Sequence, residues 1–357
     1  MTSENYILYL KGTVDGYSSK VKRKINRLFI SGGVQFEKKL DEDSFDDSKT
    51  YSSDEERLTN QIKYCLENDM NAVKLFENWE FEKDYKYSIL FETKNSNFFN
   101  DVDFQVLFPK GTVSTIESID DSDEYFTYFN DECFIVKFSR AFSAYDTFNN
   151  EEMLVKYPML VVFHKNDKIV EIRFDGLKRQ FISDKKAQTI YIDLVSDILE
   201  ILKLKFGIEL NAMDLDFIIN TVRSSNDKSV KLMAEYKNLP SGGNAQLDVG
   251  KNRDYVMPII GELKELIEKH RSDIEKIPLL NEDLNQFLFE NEELSDYEWI
   301  QVVWENEIKT RNIKVKFIFD YHQQGYCLLQ HMYSDVLVGM ERMNFVTKYI
   351  SKNRSVD

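Results

Sequence analysis

Alternating apolar and polar positions predict β-structure in the first half of the chain. Four short runs are typical of strands, and the first of them ends at Gly12. The predicted strands cover residues 6–11, 87–91, 104–108 and 133–138.

A longer alternating run predicts a β-hairpin over residues 159–174, turning at Asn166-Asp167. This turn pairs Phe163 with Val170 on an apolar face, which we expect to be buried. The opposite face carries His164, Glu171 and Arg173, and we expect it to be wet or lightly covered.

Apolar residues that recur every three or four positions predict helices elsewhere. The predicted helices cover residues 18–29, 190–202, 256–267 and 335–352. One further hairpin is expected over residues 313–332, where positions alternate from Ile313 to Tyr321 and the chain turns at Gln324-Gly325.

These elements predict an α+β fold with a β-rich N-terminal half built from antiparallel hairpins. The C-terminal half is expected to be helix-rich and to contain the one further hairpin. We place the domains at residues 1–180 and 187–357, with a boundary in the polar segment 176–188. Residues 41–56 hold eight acidic residues and almost no apolar ones, which predicts a mobile acidic loop in the first domain.

The chain has 357 residues, with 46 Lys+Arg against 62 Asp+Glu and a net charge of -16. This charge disfavours a general nucleic-acid coat, because the phosphate backbone needs a basic footprint. Neither a secretory leader nor an apolar run of ~18 residues is visible, so we expect no membrane association. Three widely spaced cysteines indicate reduced thiols and a cytoplasmic protein.

One helix is strongly basic in this acidic chain. Five positive charges fall within eight residues of the helix predicted at 19–29, at Lys20, Lys22, Arg23, Lys24 and Arg27. These residues are candidates for binding nucleic acid or an acidic protein partner. The alternative is that they solvate the outer face of the helix and pair with neighbouring acids.

The segment Glu235-Tyr236-Lys237 carries the one candidate for catalysis. If residues 230–237 form a strand, Glu235 and Lys237 share one face, and a strand at 213–219 would add Asp216 or Asp214. This order resembles the core of PD-(D/E)xK nucleases. The resemblance implies that Asp216 and Glu235 bind Mg²⁺ and that Lys237 activates water. The alternative is an ordinary structural helix or strand.

Metal-ligand residue types also occur in the second hairpin, at Asp320, His322, Cys327 and His331. Four positions along one strand span roughly 13 Å, whereas zinc lies ~2.0–2.3 Å from its ligands. We therefore expect packed hairpin residues here. No metal or cofactor is expected in the chain, apart from Mg²⁺ under the nuclease alternative.

Two functional hypotheses follow. The favoured one is a non-enzymatic recognition or regulatory subunit of a bacterial multi-protein complex, whose acidic exterior is suited to basic protein partners. An anti-phage defence component is one interpretation of that role. The alternative is the metal-dependent nuclease acting on DNA or RNA through Asp216, Glu235 and Lys237.

Overall fold

A computed structural model describes residues 4–34, 54–109, 125–146, 150–183, 186, 188–225, 227–250, 255–306, 312–332 and 339–354. Within these ranges the helices are α1 (Glu4–Gly16), α2 (Ser19–Ser31), α3 (Asp54–Asn68), α4 (Met70–Glu82), α5 (Phe98–Asp101), α6 (Phe104–Leu107), α7 (Ile190–Phe206), α8 (Phe217–Ser224), α9 (Ile260–Lys269), α10 (Arg271–Ile274), α11 (Pro278–Glu292) and α12 (Glu341–Asn353). The strands are β1 (Tyr87–Thr93), β2 (Tyr125–Phe129), β3 (Cys133–Asp146), β4 (Glu151–His164), β5 (Ile169–Phe174), β6 (Leu210–Ala212), β7 (Val230–Asn238), β8 (Asn244–Asp248), β9 (Asp296–Trp304), β10 (Ile313–Ile318) and β11 (Leu328–Met332).

The predicted distribution of elements between the two halves is wrong. The first four described elements are helices, and six of the eleven described strands follow residue 187. Helices and strands are therefore mixed along the whole described chain. Residues 41–53 of the predicted acidic loop lie outside the described residues, and residues 54–56 begin α3.

The first segment, predicted as a strand, is helix α1. Its buried residues are Tyr6, Leu10 and Val14, which recur every four positions, whereas Leu8 is 47% exposed. The burial therefore follows a helical period that the alternation of residues 6–11 obscured. Gly12 lets α1 approach β4 closely, because a Cβ there would lie 1.7 Å from the carbonyl oxygen of Leu154.

Residues 104–108, also predicted as a strand, contain the short helix α6. Asp103 Oδ1 accepts a hydrogen bond from the backbone N–H of Gln105 at 2.9 Å, which starts the helical turn. Phe104 and Phe108, four positions apart, are both buried. A side-chain cap thus overrides the strand propensity of this aromatic segment.

The chain divides into two compact units. One comprises residues 1–83 and 93–209, and the other comprises residues 84–92 and 210–357. The expected boundary at 176–188 falls inside the first unit. Whether residues 1–180 and 187–357 form separate domains stays a prediction.

The first unit contains the antiparallel strands β2, β3, β4 and β5, in that order. The hairpin predicted at 159–174 is confirmed, with Phe163 opposite Val170. Its second face, expected to be wet or lightly covered, is buried: Glu171 Oε2 lies 2.9 Å from His164 Nε2 and 2.7 Å from Arg173 Nη2. These charges tolerate burial because they pair with one another.

A second buried ion network joins α4 to the same sheet. Lys137 Nζ lies 2.6 Å from Glu77 Oε2, and Lys156 Nζ lies 2.6 Å from Glu80 Oε2. Each lysine also contacts the other glutamate, and all four residues are at most 1% exposed. Two positive and two negative charges leave this network neutral, which makes its burial possible.

The second unit contains the antiparallel strand order β1-β11-β10-β9-β7-β8, with β6 paired to β1. The hairpin predicted at 313–332 is confirmed, with Ile318 opposite Leu328. The strand predicted at 213–219 is wrong, since Ile218 and Val222 bury one face of α8 there. Helix α12 spans Glu341–Asn353, and residues 335–338 of its predicted range lie outside the described residues.

Candidate functional site

An open cleft lies on the second unit, where the start of α8, the approach to β9 and the turn between β10 and β11 meet. Its volume is about 690 Å³, within the ~300–1,000 Å³ typical of ligand pockets. None of the described residues lining it is Lys or Arg. We call it the acidic cleft; its carboxylates are Asp216, Glu292, Glu293, Asp296, Glu298 and Asp320, and its rings are Tyr297, Trp299, Phe319, Tyr321 and His322.

The local sequence places most of these acids at the ends of elements. Asp214 Oδ1 accepts a hydrogen bond from the backbone N–H of Asp216 at 2.9 Å, and this turn leads into α8. Asp296 is the first residue of β9, and Asp320 follows β10. These three acids lie where elements begin or end and remain accessible to solvent, although Asp216 is also partly buried.

The acids repel one another electrostatically. The pKa of Asp216 is raised first by partial burial and then by the negative charges of Asp214, Asp296 and Asp320. No ion pair joins Asp216, Asp296 or Asp320 to another described residue, whereas Glu292 pairs with Lys264 Nζ at 2.6 Å. A bound cation would relieve this repulsion, because an opposite charge favours the ionised carboxylate.

Two aromatic walls of the cleft already contact cations of the protein itself. Lys316 Nζ lies 3.6 Å from the centre of the Trp299 ring, and the guanidinium of Arg223 lies 4.8 Å from the centre of the Tyr297 ring. Burial lowers the pKa of Lys316, so the ring contact accompanies partial desolvation of that ammonium group. Aromatic faces attract cations through their negative quadrupole, most strongly in Trp.

The turn between β10 and β11 has an unusual backbone. Asp320, His322 and Gln323 have positive φ angles of 39°, 50° and 61°, which non-glycine residues rarely adopt. The backbone N–H of Gly325 donates to Asp320 Oδ1 at 2.8 Å and fixes this conformation. The strained turn presents Tyr321 and His322 to the cleft, and such strain is concentrated at functional sites.

The candidate residues Glu235 and Lys237 lie on one face of β7 and are buried. Glu235 Oε1 lies 2.8 Å from Lys237 Nζ, and Glu235 Oε2 lies 2.9 Å from Arg223 Nη2. Arg223 also donates to the hydroxyl of Tyr297 at 2.5 Å, and that hydroxyl donates to the Glu292 carbonyl at 3.0 Å. This network supports the Tyr297 wall of the acidic cleft.

Burial is the main cause that raises the pKa of the Tyr297 phenol. The Arg223 guanidinium opposes this rise, and the Glu235 carboxylate adds to it. Tyr297 therefore stays protonated at neutral pH and keeps its donor role towards Glu292.

The third candidate, Asp216, has different surroundings from Glu235. Asp216 precedes α8 and its charged neighbours are acids, whereas both oxygens of Glu235 contact cations. Among the residues that the structure describes, no group of three or more His, Cys, Asp or Glu is arranged to hold a metal ion. The nuclease hypothesis stays a prediction.

The metal-ligand residue types of the second hairpin lie in different surroundings. Cys327 is buried, and His331 Nε2 lies 3.0 Å from the hydroxyl of Ser88 on β1. Asp320 accepts from Gly325, and His322 is exposed in the turn.

The basic helix forms as predicted, as α2, with Ile25 and Phe29 buried. Lys20, Arg23 and Arg27 are exposed and Lys24 is half-buried. Lys22 departs from this outward set: it is buried, with its Nζ 3.2 Å from Glu55 Oε1. Four of the five candidate charges therefore lie at least partly in solvent.

No family model, curated protein or solved structure matches the chain. None of the described helices is both long and apolar enough to cross a membrane.

Sequence reasoning missed the acidic cleft. Its acids come from segments around residues 214–216, 292–298 and 320, which are far apart in the chain. One local signal was present: Asp296 and Asp320 each directly precede a tyrosine, Tyr297 and Tyr321. Only the pairing of β9 with both β7 and β10 brings those segments to one place.

Proposed function

We propose that this protein is a non-enzymatic recognition subunit that binds a basic segment of a partner protein in the acidic cleft. The observation that carries the proposal is the cleft lining: six carboxylates and five rings, with no Lys or Arg among its described residues. A Lys or Arg side chain could pair with a carboxylate and lie against a ring in the same cleft.

The net charge of -16 supports this reading at longer range. An acidic protein attracts basic partners and accelerates their encounter, and the cleft then supplies the specific contacts. The bacterial complex, with an anti-phage assembly as one setting, belongs to this proposal and rests on amino-acid composition.

Binding of a defined basic peptide tests the proposal. The probe is a fluorescent, unstructured peptide in which Arg residues alternate with Gly and Ser, followed by anisotropy at low salt. In a cleft variant, Asp216→Asn, Asp296→Asn and Asp320→Asn remove three cleft charges together. We expect affinity to fall about 10- to 100-fold, as the loss of three partly exposed ion pairs would produce.

The matched control removes three acids outside the cleft, through Asp101→Asn, Asp131→Asn and Asp273→Asn. It changes the net charge by the same amount, so a local site predicts near wild-type affinity. Equal weakening by the cleft and control variants would mean that the peptide responds only to overall charge, and the proposal would fail. Tight binding of spermine with no binding of the peptide would also contradict a protein partner.

A further inference from the structure

Helices α9 to α11 of the second unit expose an unusual amount of apolar surface. Only Ile260 is buried in these three helices, and α11 has no buried residue. Apolar clusters of this kind on a protein surface are typical of interaction sites. The large exposed apolar residues in and around these helices are Ile259, Leu266, Ile277, Leu279, Leu280, Phe287, Phe289 and Leu294.

Helix α11 begins and ends at well-defined points. Pro278 occupies its first turn, where a missing N–H costs nothing. At its other end, the Glu292 carbonyl accepts from Arg223 at 3.1 Å, and the Ser295 hydroxyl donates to the Asn291 carbonyl at 2.9 Å. The helix is therefore held at its C-terminal end.

The sequence of α11 contains a two-heptad seam. Leu280, Leu284, Phe287 and Asn291 follow one another at intervals of four, three and four, the spacing of core positions in a coiled coil. Leu280 is 40% exposed and Phe287 is 46% exposed, whereas Leu284 and Asn291 are half-buried. We call these four residues the α11 seam.

Acidic residues flank this seam on one side. Asp283 and Glu290 occupy the same heptad position, each directly before a seam residue, Leu284 and Asn291 respectively. Both acids are exposed. The helix holds four acids and no Lys or Arg. In coiled coils, charges at this flanking position select the partner by its opposite charge.

We propose that the α11 seam docks an amphipathic helix of a partner protein that carries Lys or Arg beside its apolar stripe. Leu280 and Phe287 supply the apolar contact, and Asp283 and Glu290 pair with the basic flank. A second copy of this chain is disfavoured as the occupant, because its α11 holds no Lys or Arg to pair with Asp283 and Glu290. This docking is separate from the acidic cleft and does not depend on it.

A synthetic Leu/Lys amphipathic helical peptide is the probe, with a Leu/Glu peptide of the same pattern beside it. Leu280→Ala with Phe287→Ala should weaken binding of the Leu/Lys peptide about 10- to 50-fold. The matched control is Leu279→Ala with Phe289→Ala. It makes the same two changes off the seam, with Phe289 about 160° from Phe287 and Leu279 about 100° from Leu280 at ~100° per residue, and should alter affinity less than about twofold.

The charged flank has its own test. Asp283→Asn with Glu290→Gln should reduce the salt dependence of Leu/Lys peptide binding while leaving the apolar contact in place. Circular dichroism of every variant establishes that the fold is retained.

The proposal would be overturned by equal weakening in both alanine pairs or by equally tight binding of the Leu/Glu peptide. Dimerisation of the chain that depends on Leu280 and Phe287, or comparable binding to phosphatidylcholine vesicles, would overturn it as well. If the cleft variant loses binding of the Leu/Lys peptide and the Leu280→Ala, Phe287→Ala variant retains it, the peptide binds in the acidic cleft instead. The Arg/Gly/Ser peptide has no apolar stripe, so its binding should not change in the Leu280/Phe287 pair. The two proposals can therefore fail independently.

Discussion

Replacement of Glu77 by Gln tests the buried network between α4 and the first sheet. Glu77 contacts Lys137 at 2.6 Å and Lys156 at 2.5 Å, and it accepts a hydrogen bond from the hydroxyl of Tyr6. Burial alone would raise the pKa of Glu77, but the ammonium groups of Lys137 and Lys156 outweigh it and hold the pKa below its usual range. Glu77 is therefore ionised in the folded protein.

The magnitude follows from charge balance. Glu77→Gln leaves Lys137 and Lys156 with the single carboxylate of Glu80, which is one uncompensated charge in a network at most 1% exposed. Breaking a buried pair in this way costs about 3–5 kcal/mol of unfolding free energy. For a unit of this size that corresponds to roughly 6–20 °C in melting temperature.

Urea unfolding followed by circular dichroism measures this loss, with Glu82→Gln on the exposed side of α4 as the control. In the wild type, the stabilisation by Glu77 is fully present above the usual glutamate pKa and is lost as the pH falls from there through the folded-state pKa of about 2. In the variant, a lysine of the network should lose its proton more easily, so raising the pH from 7 towards 10 should recover stability.

A compensating change sharpens the test. Adding Lys156→Met to Glu77→Gln restores charge balance and should recover most of the lost free energy. A loss below about 1 kcal/mol for Glu77→Gln at pH 7, or no recovery in the double variant, would refute the reasoning.

Further outcomes follow from other parts of the structure. Asp216→Asn should raise the melting temperature at pH 7 and weaken binding of the basic peptide. Burial and acidic neighbours raise the pKa of Asp216, so ionisation of this carboxyl opposes folding above that pKa, and the cost disappears as the pH falls. A lower melting temperature in the variant would contradict this. Gly12→Ala should destabilise the fold because its Cβ would meet the Leu154 carbonyl, whereas Gly16→Ala in the same helix, with its nearest neighbour 4.0 Å away, should not. Replacing Lys20, Arg23, Lys24 and Arg27 with Gln should spare folding and reduce salt-dependent retention on heparin; unchanged retention would leave α2 as a solvated face. If the nuclease hypothesis holds, the protein with Mg²⁺ or Mn²⁺ will cut DNA or RNA, and Lys237→Ala will stop the cutting. Because Lys237 is buried against Glu235, the same change should also lower the melting temperature.

Periodicity predicted those elements whose burial follows one clean period. Helix α2 and both hairpins are of this kind, and β7 places Glu235 and Lys237 on one face. Helix α1 was mistaken for a strand because Leu8, an exposed apolar residue, completed a false alternation with Tyr6 and Leu10. Local sequence does not say which apolar residues face solvent.

The acidic cleft could not be predicted because it depends on long-range pairing. Asp216 and Asp320 lie about a hundred residues apart in the chain, and the order β7-β9-β10 brings their segments together. The buried charges of the first sheet escaped prediction for a related reason. Glu171 and Arg173 have the alternation of a wet face, and only their pairing with each other permits burial.

Carbodiimide coupling of a Lys-containing basic peptide tests the central claim most directly, since this reagent joins an amine only to a carboxylate that lies against it. Mass spectrometry of the coupled protein then identifies which of the 62 acidic residues carry the peptide. We predict coupling concentrated at Asp216, Asp296 and Asp320, and its loss when unlabelled peptide competes. Coupling spread over acids throughout the surface, with these three no more reactive than Asp101 or Asp131, would contradict the claim that the cleft is a recognition site.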